Sequence, residues 1–285
     1  MLMLDRKRET TAGPGRAEIE FGRAPDGRTF VKRQFASYPF HVCRPYSFAG
    51  DPEGMVTLYL QSLSGGIYED ERLSLAIAAE PETRAHVTSQ ASTIVHSMTT
   101  GRAETTVSID AKGAALVEYL PDPLILFPGA RLDSAIRIRR DPASTVICAD
   151  AFLAHDPEAA DRTFDGLDSR LDVEDRSGRL LARDRFVLSG DSHRARVARE
   201  RGYAALATLV VVTEAGDRDA MLNVLRDALS RLPETYAGTS LLPNDCGLWA
   251  RILTTDGVSL RTAMHAAWAA AREAITGSRP QGRRK

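Results

Sequence analysis

Apolar and polar residues alternate along most of this chain, from Arg16 to Val212, in short runs that turn residues separate. Alternation with a period of two indicates strands with one buried face, and turns at intervals of roughly ten to fifteen residues are typical of an all-β body. The turns Pro25–Gly27, Lys112–Gly113 and Ser177–Gly178 supply the backbone angles that hairpins require. We therefore predict a mainly β domain.

Two later segments change to a helical period. Between Asp217 and Leu232, apolar residues recur at positions i, i+3, i+4 and i+7, and Asp217 or Asp219 is available as the N-cap. From about Ser259 to Ile275 the apolar residues form one stripe, and Gly277 follows as a favoured C-cap residue. These patterns predict two amphipathic α-helices in the C-terminal half that dock on the sheets.

Length and composition allow a large buried core, because the chain has 285 residues of which 43% are hydrophobic. We predict a flexible N-terminal tail over residues 1–15 and a single β-rich domain over residues 16–277. Residues 278–285 are polar, basic and interrupted by proline and glycine, so we predict a disordered tail there.

The net charge and the cysteine content indicate which classes of partner and which cellular compartment to expect. Lysine and arginine number 37 against 38 acidic residues, a net charge of -1 that gives no support for binding nucleic acid or an anionic membrane. The longest apolar run, Tyr203–Thr213, has about half of the ~20 residues that a membrane-spanning helix needs. Cys43, Cys148 and Cys246 form no CxxC pair, which favours a reducing compartment, and we predict a cytoplasmic protein.

Local signatures of catalysis are missing from the sequence. It contains no GxSxG, SxxK, phosphate-binding GxxxxGK[ST], GxGxxG or HExxH motif, so we expect a protein without catalytic residues. His41 and Cys43 are spaced to share one face of a strand and could bind a soft metal. Ordinary packing in the sheet explains them better, because a free cysteine usually behaves as a small buried hydrophobe.

A few acids and hydroxyls remain as candidates for binding chemistry. Glu69–Glu71 places three carboxylates in a turn, where oxygen ligands could briefly hold a divalent cation, although a solvated acidic turn is the more common case. Asp150 follows Thr145–Cys148 within a strand that otherwise looks buried, and a buried carboxylate must be paired, metal-bound or protonated. Hydroxyls between Ser89 and Thr93 could line a water-filled channel or simply bond across strands.

The order of several motifs resembles the urease accessory protein family UreD, also called UreH. The residues that carry the resemblance are Ser64–Ile67, Arg72–Leu73, Thr88–Thr93, Gly113–Pro123, Phe127–Ala130, Asp150, Arg183–Arg185, Tyr236–Gly238, Ser240–Leu242 and Leu248–Leu253. The segment Leu116–Pro123, which reads Leu-Val-Glu-Tyr-Leu-Pro-Asp-Pro, is the most specific of them.

The resemblance implies a fold and a role. It implies stacked antiparallel or β-helix-like sheets with two helices, and no catalysis. Such proteins bind apo-urease and the accessory protein UreF, which recruits the GTPase UreG that carries nickel. Nickel would then pass through UreF and UreD into the urease site, so the chain is expected to hold no tight cofactor, with nickel only in transit.

The resemblance also implies site residues. A family motif with two glycine pairs and an acid falls on Gly65–Glu71, which places the acid at Glu71, although Glu69 and Asp70 replace the second glycine pair. The implied metal path consists of Glu71, Asp150 and Asp184, with Ser89 and Thr93 lining the channel.

Two alternatives stay open from the sequence. A hydrolase could use Asp150 with His155 or His96 as acid and base. A diverged member of the family could instead act as a β-rich protein-interaction module without nickel transfer.

Overall fold

The computed structural model describes residues 14–199 and 202–281, without the side chains of residues 196–199. Strands, numbered in chain order, form two sheets. The first sheet has seven strands: β1 (Gly15–Arg23), β2 (Thr29–Ala36), β5 (Arg72–Ala79), β8 (Ala103–Ala111), β11 (Arg131–Arg140), β13 (Gly166–Glu174) and β14 (Leu180–Ser189). Their order across the sheet is β14-β13-β11-β8-β5-β1-β2.

The second sheet has ten strands. They are β3 (Phe40–Val42), β4 (Val56–Ser62), β6 (Arg84–Ser89), β7 (Thr93–Val95), β9 (Leu116–Tyr119), β10 (Leu124–Leu126), β12 (Thr145–Ala154), β15 (Ala205–Val212), β16 (Thr235–Leu241) and β17 (Gly247–Thr254). The main path runs β16-β17-β15-β12-β9-β6-β4-β3, while β10 joins β12 to β7.

The chain winds between the sheets as a coil. It passes from β5 to β6 and β7, then from β8 to β9 and β10, and then from β11 to β12, so equivalent strands of successive turns pair in parallel. Aliphatic side chains stack in register along the first sheet, from Leu75 to Val107, Ile136 and Leu171. This confirms the β-helix-like fold class, with antiparallel pairs added at the outer strands.

Helices cover the outer face of the second sheet. The helix α2 (Arg218–Ser230) begins at Asp217, whose side chain accepts a hydrogen bond from the Ala220 amide, and α3 (Gly257–Thr276) ends at Gly277 with a left-handed φ of 71°. Both predicted helices are therefore confirmed. Their apolar stripes pack on alternate residues of β12, β15 and β17 in one buried cluster.

A third helix, α1 (Gly190–Arg199), was not predicted. Its first residues, Gly190–Arg194, are polar or lack a side chain, so no apolar stripe marks it in the sequence. Within the described residues, no helix has both the length and the apolar character that crossing a bilayer requires.

The predicted tails fall mostly outside the described residues. Residues 1–13 and 282–285 are not described, so the flexible and disordered segments stay predictions there. Among the described residues, Gly15 already belongs to β1 and Pro280 is buried.

Candidate functional site

A cavity of about 150 Å³ lies between the two sheets. Apolar side chains form most of its wall, and the polar residues of the lining include Thr88, Ser89, Thr93, Thr105, Ser134, Tyr119, Asp122 and Asp150. The lining also contains Ser62, which is exposed. The cavity therefore extends from the surface near the end of β4 to the buried centre of β12.

A row of hydroxyls crosses the first sheet at this level. Thr105, Ser134 and Ser169 lie side by side on β8, β11 and β13, because these parallel strands are in register. The residues two positions later on these strands pack in the core between the sheets; they are Val107, Ile136 and Leu171. Because side chains two residues apart on a strand point to the same side, the hydroxyls also point between the sheets. The row faces the second sheet.

Asp150 faces this row from β12. Val146 and Cys148 of the same strand lie in the core between the sheets, while Ile147 and Ala149 pack under the helices. Alternation therefore directs Asp150 between the sheets, where the residue is 8% exposed and the Ser169 hydroxyl donates a hydrogen bond of 2.9 Å to its Oδ2 atom. Its Oδ1 atom is buried and accepts no hydrogen bond of standard length and angle among the described residues, while the Thr208 hydroxyl on the paired strand β15 is close enough to help lower the pKa of the carboxyl.

The electrostatics around Asp150 favour a cation or a proton at the free oxygen. Burial raises the pKa of Asp150 to about 6, against the opposing effects of the Ser169 hydrogen bond and the Arg251 charge. Burial also raises the pKa of Tyr119 and of Cys148, and the nearby Asp150 carboxylate adds to both shifts. Asp150 is thus an ionisable carboxylate beside two groups, Tyr119 and Cys148, that stay neutral near neutral pH.

Ser89 and Thr93 lie at the same cavity. The Ser89 hydroxyl accepts a hydrogen bond of 2.7 Å from the Asp122 amide, which fixes the Pro-Asp-Pro turn against the end of β6. Thr93 is in register with Leu124, which pairs with Phe152 on β12. The structure thus brings Ser89, Thr93 and Asp150 together, although 61 residues separate the first from the last in the sequence.

The acidic turn lies outside the cavity lining. The Glu69 carboxylate accepts hydrogen bonds from the backbone amides of Thr99, Thr100 and Gly101, and these bonds lower the pKa of Glu69 to about 2. Glu71 is half-buried and accepts a hydrogen bond of 3.0 Å from the Tyr68 amide. These three carboxylates are therefore not arranged as one cluster of ligands.

The replacement of glycine has a conformational consequence in this turn. Asp70 adopts a left-handed φ of 62°, a region that favours glycine. The turn therefore keeps a glycine-like backbone angle at Asp70 without the glycine.

Asp184 is held by an arginine from the other sheet. Arg251 of β17 donates two hydrogen bonds to the Asp184 carboxylate, at 2.6 and 2.9 Å. Arg185, its neighbour in the sequence, instead pairs with Asp168 at 2.7 Å. The Asp184–Arg251 pair joins β14, the edge strand of the first sheet, to β17 of the second sheet, which lies next to its edge strand β16.

Sequence reasoning missed Ser169 and Arg251 as partners of the predicted acids. Arg251 belongs to the segment Leu248–Leu253 that carries the family resemblance. It lies two residues after Trp249, so both side chains point to the same side of the strand, and this spacing was the one signal that could have placed Arg251 between the sheets. Ser169 had no such signal.

The alternatives based on histidine find little support in the geometry. Within residues 14–199 and 202–281, no three His, Cys, Asp or Glu side chains come together to hold a metal ion. His96 stacks on Tyr68 at 4.4 Å between ring centroids, and its Nε2 atom lies 3.1 Å from the Gly65 carbonyl oxygen. In the same described part of the chain, Asp150 makes no hydrogen bond to His96 or His155.

Comparison with known proteins agrees with the motifs around this cavity. The family model described as "UreD urease accessory protein" matches residues 13–285. The chain belongs to the UreD family. Its relatives in this family include "Urease accessory protein UreD 1" of Pseudomonas syringae pv. tomato, which is 43% identical over 94% of this chain and 95% of the relative.

More distant members of the UreD family also align over nearly full length. "Urease accessory protein UreD 1" of Methylorubrum populi is 38% identical over 94% of this chain and 91% of its own length. "Urease accessory protein UreD" of Natronomonas pharaonis is 29% identical over 93% of this chain and 90% of its own length. These UreD proteins are named accessory proteins rather than enzymes.

Proposed function

We propose that this UreD-family protein is a non-catalytic scaffold for urease maturation. It binds apo-urease and UreF, recruits UreG through UreF, and passes nickel through its interior toward the urease active site. Membership of the family supports the link to urease, and the cavity between the sheets supports the passage of an ion.

The observation that carries the nickel proposal is the burial of the Asp150 carboxylate at the cavity. A buried carboxylate oxygen without a well-formed hydrogen bond is costly, and a cation that reaches the cavity would compensate it. Transit also requires weak binding, because a closed cage of several acids or histidines would retain the ion. One carboxylate among the hydroxyls of Ser89, Thr93 and Thr105 meets both requirements.

The remaining predicted acids have supporting roles in this proposal. Glu71 lies two residues before Leu73, which lines the cavity, and would attract the ion outside it. Asp184 would act beyond Asp150 through its contact with Arg251. Nickel is the cargo of this path and not a resident cofactor. The three free cysteines fit the predicted cytoplasmic setting.

The test is urease activation in a strain that lacks its own UreD and carries the urease genes. The strain is complemented with this chain, with Asp150→Ala, or with Asp168→Ala as a control. Asp168 is an aspartate of the same domain that pairs with Arg185 at 2.7 Å, apart from the cavity lining. We expect Asp150→Ala to lose most urease activity and nickel content, while Asp168→Ala keeps both.

Pull-downs with tagged chain separate binding from transfer. We expect Asp150→Ala to retain urease subunits and UreF, because the residue is buried inside the fold. If Asp150→Ala activates urease fully, nickel transit through this protein is ruled out and a protein-interaction module is favoured. If the pull-down recovers the chain without urease subunits and without UreF, the scaffold function is ruled out as well.

A further inference from the structure

Arg251 lies where the cavity ends. The residues that line the cavity include Asp150 but neither Arg251 nor Asp184. Strand pairing places Asp150, Thr208 and Arg251 side by side on β12, β15 and β17. Because Ala250 packs under the helices, alternation turns Arg251 into the space between the sheets. The next charged side chain beyond Asp150 in this row is therefore a cation.

Contacts on several sides fix the guanidinium of Arg251. Asp184 accepts its two hydrogen bonds from the first sheet, and the Cζ atom lies 4.5 Å from the Phe186 ring centroid and 5.2 Å from that of Trp249. Phe186 in turn packs edge-on against Phe152, a residue of the cavity wall. The Arg251 guanidinium thus lies directly behind the cavity wall.

A fixed positive charge in this place acts on any cation at Asp150. The Arg251 charge acts to lower the pKa of Asp150, and the Asp184 charge acts to raise it. At the effective dielectric of a protein interior, a unit charge within about 10 Å changes the affinity of a divalent ion on the order of tenfold or more. Asp184 opposes this effect with a negative charge of its own, so the pair balances repulsion against attraction.

We propose that the Arg251–Asp184 ion pair sets how tightly the cavity holds a divalent cation at Asp150. The Arg251 charge keeps the affinity of that ion low enough for release, and the Asp184 charge limits the repulsion. Arg251 is a positioning residue in this scheme, because it acts on the ion through its charge and not as a ligand. The inference rests on the proposed function, since it concerns the same ion path.

The test uses Ni²⁺ alone as the probe and the purified full chain. Calorimetric titration at about pH 8, where Asp150 stays ionised, measures the affinity for Ni²⁺. The site of interest is the one that is lost in the Asp150→Asn variant. We expect Arg251→Gln to tighten that site on the order of tenfold or more, and Asp184→Asn to weaken it by a similar factor. The double variant Arg251→Gln with Asp184→Asn should return near the wild-type value.

Opposite shifts in nickel affinity distinguish an electrostatic role of the ion pair from a merely structural one. Loss of the ion pair is common to both single variants, so a merely structural contact predicts shifts of the same sign. Arg185→Gln is the matched control, since Arg185 is also a β-strand arginine paired with an aspartate but its partner is Asp168. It should leave the nickel affinity unchanged.

Several results would overturn the proposal. Equal shifts in Arg251→Gln and Asp184→Asn would do so, as would no shift in either. The proposal would also be overturned if neither the wild type nor Arg251→Gln bound Ni²⁺ at a site that depends on Asp150. If Arg251→Gln does not fold, the test uses Arg251→Lys and Asp184→Asn instead. We then expect Arg251→Lys to bind Ni²⁺ like the wild type and Asp184→Asn to bind it more weakly. The nickel-delivery proposal is judged separately, by urease activation with Asp150→Ala.

Discussion

Glu118 on β9 and Arg272 on α3 form an ion pair in which both side chains are almost completely buried, although 154 residues separate them. The Arg272 Nε atom donates a hydrogen bond of 2.7 Å to Glu118, and the Trp268 indole donates another of 3.0 Å. Burial acts to raise the pKa of Glu118, but the bonds from Arg272 and His86 outweigh it and lower the pKa to about 2. The pair ties the C-terminal helix to the coil.

Glu118→Gln should therefore destabilise the fold. The substitution leaves the Arg272 charge buried with less compensation, and breaking a buried pair costs about 3–5 kcal/mol. Urea denaturation measures the change in the free energy of unfolding. Glu273→Gln is the control on the same helix, because Glu273 pairs with Arg279 at the surface and its loss should have little effect.

Asp150→Asn should stabilise the protein increasingly as the pH rises. The pKa of Asp150 is about 6 in the folded state against an ordinary value of 3.8, so the folded state binds more protons than the unfolded state between these pH values. The wild type therefore loses roughly 2 kcal/mol of stability on going from about pH 4 to about pH 7 through this residue. Urea denaturation of the wild type and the variant at both pH values measures the difference.

The control for that pH dependence is Asp168→Asn. The hydrogen bond from Arg185 lowers the pKa of Asp168, so its ionised form contributes stability above the unfolded-state pKa. Its removal should cost more at about pH 7 than at low pH, the opposite trend. Parallel trends in the two variants would contradict the assignment for Asp150.

Glu69→Ala should loosen the loop at Thr99–Gly101. The carboxylate accepts hydrogen bonds from the three backbone amides of this loop, and alanine provides no acceptor. Hydrogen exchange should show faster exchange of these amides, whereas Glu104→Ala, which removes an exposed partner of Arg72, should not.

The same loop should also loosen in the wild type at low pH. The pKa of Glu69 is about 2 in the folded state against an ordinary value of 4.5, so the stability that its ionised form contributes is complete above about pH 4.5 and disappears as the pH falls through about 2. Unchanged exchange at Thr100 over this range would contradict the anchoring role.

Gly247→Ala should disrupt the start of β17. Gly247 has a φ of 144°, and an added Cβ atom would lie 1.9 Å from the Val211 carbonyl oxygen. We expect a loss of about 2–3 kcal/mol or more in the free energy of unfolding. Gly238→Ala on the adjacent strand β16 meets no atom within 4 Å and should be nearly neutral in thermal denaturation.

Much of the fold could be predicted from the chain because its patterns are local. Period-two alternation in Ala17–Phe21 and helical spacing after Asp217 show which face of each element is buried, because both patterns depend only on residues close in the sequence. The helix α1 escaped prediction because its early residues have no apolar stripe. The short strands β7 and β10 have three residues each, too few to show a period.

The candidate site was predictable only in part. Asp150 stood out because a carboxylate followed an apolar strand, and its side of the strand follows from alternation. The acidic turn at Glu69 looked similar as a cluster of charges, yet its first carboxylate is occupied by backbone amides from another turn of the coil. Charge density alone does not distinguish the two cases.

The sequence by itself determined a mainly β body, two docked helices and the motifs of the UreD family. Only the tertiary structure decided that Ser169 bonds to Asp150 and that Arg251 holds Asp184 across the sheets. The physical reason is that a strand's pattern shows which side is buried but not what lies opposite. That partner depends on how all turns of the coil stack, and in the Arg251 pair it lies 67 residues away.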